Sequence, residues 1–328
     1  MVPPELFYAI ASPCTLGMGR TATKLLTMGA AHPRRKLGFC MTVPITLRQG
    51  ALRCDIRPDL GGCIAGLWFS DVPVLRSTPA TQLASVRLSG SFPLIPYSNR
   101  MAFARFAWNG QSYDLSPNFE PEPHAIHGAG WRRPWQVQEC SDTAAVLALD
   151  HCGNSDWPFA FAASQHLSLQ DGCLSLQMEI TNQSSVPAPV GLGWHPYFAK
   201  HGDSHLAFAS QGRWDMGPDQ LPRMRHPHKG LDQDCAALVV DHCFDGWSGE
   251  ALLRNARFAI RIGSDLPCLV ACSNPGRDTI AVEPVSHVNN ALNLLAQGTA
   301  TTEALGVHVL APGASMAASM QMTVELLS

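Results

Sequence analysis

Charge is scarce in this chain. Asp, Glu, Lys and Arg make up 15% of its 328 residues, and 23 basic against 26 acidic side chains leave a formal charge of −3. The basic residues are scattered, so nothing resembles the clustered Lys/Arg surface that nucleic acid or an anionic membrane requires. Long apolar runs are also missing: none approaches the roughly 20 residues that span a bilayer as a helix. The 11 cysteines, at positions 14, 40, 54, 63, 140, 152, 173, 235, 243, 268 and 272, contain no C-x-x-C pair. Zinc ribbons and thioredoxin-type chemistry therefore have no support. The cysteines read instead as small hydrophobes in a reduced, cytoplasmic setting. Internal repeats and low-complexity linkers are lacking, and after position 41 no amphipathic helical pattern exceeds about ten residues.

What is present is a period of two. Leu52, Cys54 and Ile56 alternate with Arg53, Asp55 and Arg57; Leu174, Leu176, Met178 and Ile180 alternate with Ser175, Gln177 and Glu179. Phe258, Ile260 and Ile262 repeat the pattern, and Met316 through Leu326 closes the chain with it. Strict alternation predicts strands with one buried and one wet face. Asn109-Gly110 and Asp171-Gly172 tolerate the positive φ angles of tight hairpins, and 25 prolines break nearly every candidate helix. With 46% apolar residues there is enough material for a large core. The pattern predicts an all-β architecture of large antiparallel sheets packed face to face, in one domain over 41–328. Residues 1–40 carry one acidic residue and five basic ones without strand periodicity. They read as a disordered N-terminal extension; a transit peptide shares that composition.

Against this background a few polar residues stand out. His195 sits between Gly193-Trp194 and Pro196, in an interrupted strand where backbone can approach a ligand. Glu283 lies inside the apolar run Ile280-Ala281-Val282-Glu283-Pro284. Burying a carboxylate there costs several kcal/mol unless it is paired or used. His127 precedes Gly128 and Gly130 in a loop with little side-chain cover. Each has an ordinary structural explanation taken alone: a packed core histidine, a structural ion pair, a loop histidine. Together they are an inventory for moving protons on a neutral, polar substrate without a cofactor or metal. A metal site built from His124, His127, His195 and Glu283 is the rival reading, although His-x-x-His in a Gly-rich loop lacks the spacing of strand metal motifs.

Five blocks in order, Asn99-Arg100, His127-Gly128, His195-Pro196-Tyr197-Phe198, Asp241-His242-Cys243-Phe244 and Glu283-Pro284, resemble the aldose 1-epimerase (galactose mutarotase) family over about 45 to 325. The resemblance implies a β-supersandwich and interconversion of the α and β anomers of a free aldose. By it, Glu283 matches the general base, His195 the general acid and His127 a second histidine near the ring oxygen. Arg100, Asn99 and Asp241 match residues that hold the sugar, and His124 has no firm counterpart. Trp194 or Trp131 is expected to line the pocket with an apolar face. The chain departs from the family's common pattern at Ala129, at Ala199-Lys200 and at Asn290; those neighbours shape the pocket, so galactose is not singled out as the sugar. Two alternatives are a hexose 6-phosphate substrate, with Arg105, Arg132 and Arg133 as candidate phosphate ligands, and a binding protein of the same fold without catalysis. The expected partner is a small aldose, not nucleic acid or membrane, acting on a monomer or homodimer.

Overall fold

The alternating segments of the sequence become the longest strands. A computed structural model describes residues 44–327, so the extension expected over 1–40 lies outside the described residues. Phe161–Gln170 and Cys173–Asn182 form a hairpin around Asp171-Gly172, both at positive φ (45° and 75°). Ser315–Leu326 pairs with Cys173–Asn182 on one side and with Phe258–Ser264 on the other. These strands lie in an antiparallel sheet of nine. Leu174, Leu176, Met178 and Ile180 are buried to 2% exposure or less, while their odd-numbered neighbours face outward. Full burial of one such side chain stabilises the fold by about 1.5–3 kcal/mol.

A second antiparallel sheet has eight strands and reads differently. Thr279–Val285 is buried at every position, and its neighbour Cys268–Ser273 at all but Cys272. A strand covered on both faces normally carries apolar residues throughout, yet this one contains Glu283. Val240–Asp245 flanks Cys268–Ser273, and Tyr197–Ala199 pairs with the far side of Thr279–Val285. Among the described residues helix is minor: Ala291–Ala296 and Thr302–Leu305 are the α-helices, and neither is long enough to cross a membrane. The nine described cysteines are free, and Cys54, Cys63, Cys235, Cys243 and Cys268 pack as buried hydrophobes.

Candidate active site

The register of the eight-stranded sheet assembles the site. Asp241 stands opposite Cys272, Cys272 opposite Ala281, and Ala281 opposite Tyr197, which makes one row across four strands. Glu283 is one step along the same face, beside Val270. All of these line a cavity of about 430 Å³, together with Phe92, Asn99, Arg100, His127, Trp131 and His195. That volume falls within the range of small-ligand clefts. A larger hollow of about 620 Å³ over the nine-stranded sheet, lined by Lys229, Asp232, Glu250 and Arg261 among others, has no histidine among the described residues that line it.

His195 enters the cavity because its backbone is pinned. Its N–H donates to the Phe92 carbonyl (3.0 Å), and the Tyr197 N–H donates to Gly90 (2.8 Å). His195, in the link between Gly193–Trp194 and Tyr197–Ala199, lies on the same side as Tyr197, with rings stacked at 4.3 Å between centroids. Trp194 turns the other way. It is 2% exposed, packs in the core and does not line the cavity, so the structure does not bring it to the other candidates. Trp131 does line the cavity, stacked on Phe92 at 5.5 Å, and Phe92 in turn lies 4.7 Å from the His195 ring.

His127 and Asn99 hold each other through backbone bonds. The His127 N–H donates to the Asn99 carbonyl (2.9 Å), and the Asn99 N–H donates to His127 Nδ1 (3.1 Å). Both residues have left-handed backbone, φ 61° and 55°. Such conformations are costly and concentrate at functional sites. Gly128 follows with φ 71°, and a Cβ there would sit 2.2 Å from the Ile95 carbonyl oxygen, so only glycine lets the loop close. Because Nδ1 of His127 accepts, its proton is on Nε2, and a second proton would break the Asn99 bond. Burial, then the charges of His195 and Arg100, hold this imidazole well below its ordinary range.

The central contact is between His195 Nε2 and Glu283 Oε1, at 3.1 Å, with the Tyr197 hydroxyl 3.3 Å from the same nitrogen. Both partners are buried (7% and 2% exposed), and Glu283 Oε2 has no hydrogen-bond partner among the described residues. Burial first, then the negative charge of Asp241, push the Glu283 carboxyl well above the usual carboxylate range. Burial first, then Arg76, push the His195 imidazole down to about 3. Both shifts disfavour a lone charge on either partner, so the arrangement suits a pair that holds one proton between its members without net charge. Arg100, by contrast, spends its guanidinium on Glu122 in a two-bonded ion pair (2.8 Å each).

His124 does not join this group. Its Nδ1 accepts from the Phe103 N–H (2.9 Å) and its Nε2 faces the Asp219 carbonyl (3.1 Å), so it ties loops together. Arg105 pairs with Asp114 and Arg133 with Asp156, and neither these nor Arg132 line the cavity. The arginines that do line it beside Arg100 are Arg76, Arg87 and Arg277, which sequence position alone did not indicate.

These buried histidines make a prediction for stability. His287 is held neutral by two backbone bonds, from the Ser98 N–H to Nε2 and between Nδ1 and the Val288 carbonyl, and burial pushes it down to about 4. His127, His195 and His287 all lie below the unfolded value near 6.5, so the unfolded chain binds protons that the folded one refuses. Their contribution is fully present above 6.5 and is lost as pH falls, by roughly 2 kcal/mol each between pH 7 and 5. Glu283 acts in the opposite sense, since its stabilising contribution is full below 4.5 and is lost as pH rises through its raised folded value. Three histidines outweigh one carboxyl, so urea midpoints measured from pH 7 to 5 are expected to fall; a flat profile would contradict the neutral assignments.

A family model described as aldose 1-epimerase matches residues 44–323. Uncharacterized protein YphB of Escherichia coli strain K12 is 30% identical over 305 residues, covering 86% of this chain and 99% of that protein. Among solved structures, a galactose mutarotase-like protein from Clostridium acetobutylicum superposes with a TM-score of 0.76 at 17% identity, over 87% of this chain and 95% of that one. Galactose 1-epimerase from Lactobacillus acidophilus NCFM does so with a TM-score of 0.69 at 15% identity, over 86% and 94%.

Proposed function

The chain belongs to the aldose 1-epimerase family, and we propose that it interconverts the α and β anomers of a free aldose at the cavity containing Glu283 and His195. The observation that carries this reading is the buried Glu283–His195 contact at 3.1 Å on the cavity floor. A site that only binds sugar has no need of a proton-sharing pair held at a cost in desolvation. In the proposed reaction Glu283 takes the proton from the anomeric hydroxyl while His195 gives one to the ring oxygen. The C1–O5 bond breaks, C1 becomes an aldehyde, and C1–C2 rotates. Reclosure runs the two transfers backwards, and the pair ends with the proton it began with. A sugar that presents O1 to Glu283 and O5 to His195 replaces their direct bond with one bond to each.

The other residues take positioning roles. His127 offers Nε2–H towards the ring oxygen side, Asn99 and Arg100 border the hydroxyls, and Asp241 accepts from one of them while its charge keeps Glu283 basic. Phe92, Trp131 and Tyr197 give the C–H faces of the sugar an apolar wall. The test is saturation-transfer NMR of glucose, galactose and arabinose at anomeric equilibrium. Catalytic amounts of the protein are expected to speed exchange of at least one of them; unchanged exchange for every aldose offered would remove the proposal.

A further inference from the structure

We propose that the preferred substrate is an aldose with an anionic oxo group on C6, held by Arg76, Arg87 and Arg277 at the cavity wall next to His195. This deepens the mutarotase reading and rests on it for the orientation of the sugar. Four positive side chains line the cavity, and one of them, Arg100, is neutralised by Glu122. The other three have no carboxylate within ion-pairing distance among the described residues. Arg76 is fixed in place: its Nε and Nη2 donate to the Ser89 carbonyl (2.9 and 2.6 Å), and Nη2 also donates to the Arg87 carbonyl (2.8 Å). Its guanidinium lies 3.9 Å over the Tyr197 ring. The carbonyls and the ring that hold it are uncharged, so its positive charge remains. Arg87 stacks 3.8 Å over Phe119, again on a neutral partner, and the Arg277 guanidinium donates to the Cys272 sulfur at 3.6 Å. The acidic groups on this wall are Asp278, which is close enough to Arg76 to be felt by it, and Asp241 further along the sheet.

Position follows from connectivity. Arg76 stacks on Tyr197, and Tyr197 stacks on His195 and touches Nε2, so the arginine wall adjoins the histidine rather than the far side of the carboxylate. If His195 serves the ring oxygen and Glu283 the hydroxyl on C1, the other neighbour of the ring oxygen is C5. Its substituent, C6, then falls towards the arginines. A planar fork of N–H donors suits a carboxylate or a phosphate there. A neutral hexose would leave the three positive charges of that wall facing the single carboxylate of Asp278.

The experiment compares anomer exchange of glucose and galactose with that of glucuronate, galacturonate and glucose 6-phosphate. The quantity read is the ratio of kcat/KM on an anionic sugar to that on its neutral parent, in wild type, Arg277→Gln, Arg87→Gln and Arg277→Lys. Arg87 and Arg277 are exposed, so their variants are expected to fold, whereas Arg76 holds loops and is kept. The expected result is a ratio well above one that falls about tenfold in each Gln variant, the size of one charged hydrogen bond, and is partly restored by Arg277→Lys. The ratio should also fall towards one as ionic strength rises. Preference for the uronates alone assigns a carboxylate, and preference for the 6-phosphate alone assigns a phosphate. A ratio of one or less in wild type, or a ratio untouched by both Gln variants, overturns the anion site while leaving mutarotation standing. If no sugar exchanges faster, binding of the same sugars by calorimetry decides separately: uronate or phosphate binding that Arg277→Gln abolishes keeps the anion site without the mutarotase reading, and absence of such binding removes both.

Discussion

Glu283→Gln is expected to slow catalysed anomer exchange by about 10²–10⁴-fold, the usual worth of one proton-transfer group, without loss of the fold. Gln has nearly the shape of Glu, so the strand Thr279–Val285 keeps its packing and its pairing with Cys268–Ser273. What disappears is the carboxylate in contact with His195, which accepts the anomeric proton in the proposed reaction. The fold does not need that charge. Burial and Asp241 both disfavour it, and the stability that the protonated acid provides is lost as pH rises through its raised folded value. A neutral amide escapes that loss, so the variant's melting temperature is expected to equal or exceed that of wild type, increasingly so at higher pH. NMR exchange rates and a thermal melt on the same sample separate the two claims. Retained exchange would sink Glu283 as the base, while lost exchange with a collapsed melt would mean that the carboxyl is structural.

Much of this site was legible in the sequence, and the physical reason is the period of two. Glu283 inside an apolar strand, His195 in an interrupted one and His127 before a glycine each announce a polar group where packing alone would not put it. The alternation that defined the outer strands also fixes which side chains of Thr279–Val285 face the cavity: Thr279, Ala281 and Glu283. Applied strictly, it would have turned Trp194 away, because neighbouring residues in a strand point to opposite faces. Other contributors came from pairings distant in sequence, which no local pattern reports. Phe92 reaches His195 through a backbone bond across a hundred residues, and Arg76 reaches Tyr197 in the same way, its N–H donating to the Tyr197 carbonyl at 2.7 Å. Arg105, Arg132 and Arg133 attracted notice as candidate phosphate ligands, but Arg105 belongs to a surface hairpin closed on Asp114. Glu122, the partner of Arg100, comes from a proline-flanked loop whose sequence signals only a turn.

The second large effect concerns the shared proton. With one proton on the Glu283–His195 pair, kcat/KM against pH is expected to be bell-shaped, and its limbs belong to the pair rather than to either residue. On the acid side activity ends when the pair takes a second proton. Burial and the nearby charges of Arg76 and Arg277 oppose an imidazolium, so this limb lies below the ordinary histidine value, towards about 3. On the basic side activity ends when the pair loses its only proton, and this limb lies above the ordinary carboxylate range because Glu283 is raised. Asp241, Arg100, His127, Tyr197 and Cys272 face the same cavity, and of these Asp241 raises and Arg100 lowers the Glu283 carboxyl. His195→Asn is expected to cost a further 10²–10⁴-fold, again about one proton-transfer group, and to leave a profile with a single limb, since only the carboxyl still titrates. Because acid and base act in one step, Glu283→Gln/His195→Asn together should lose little more than the worse single variant. An acid limb near 6.5 in wild type would mean that His195 titrates independently of Glu283, and the contact at 3.1 Å would then be no guide to how the proton is held.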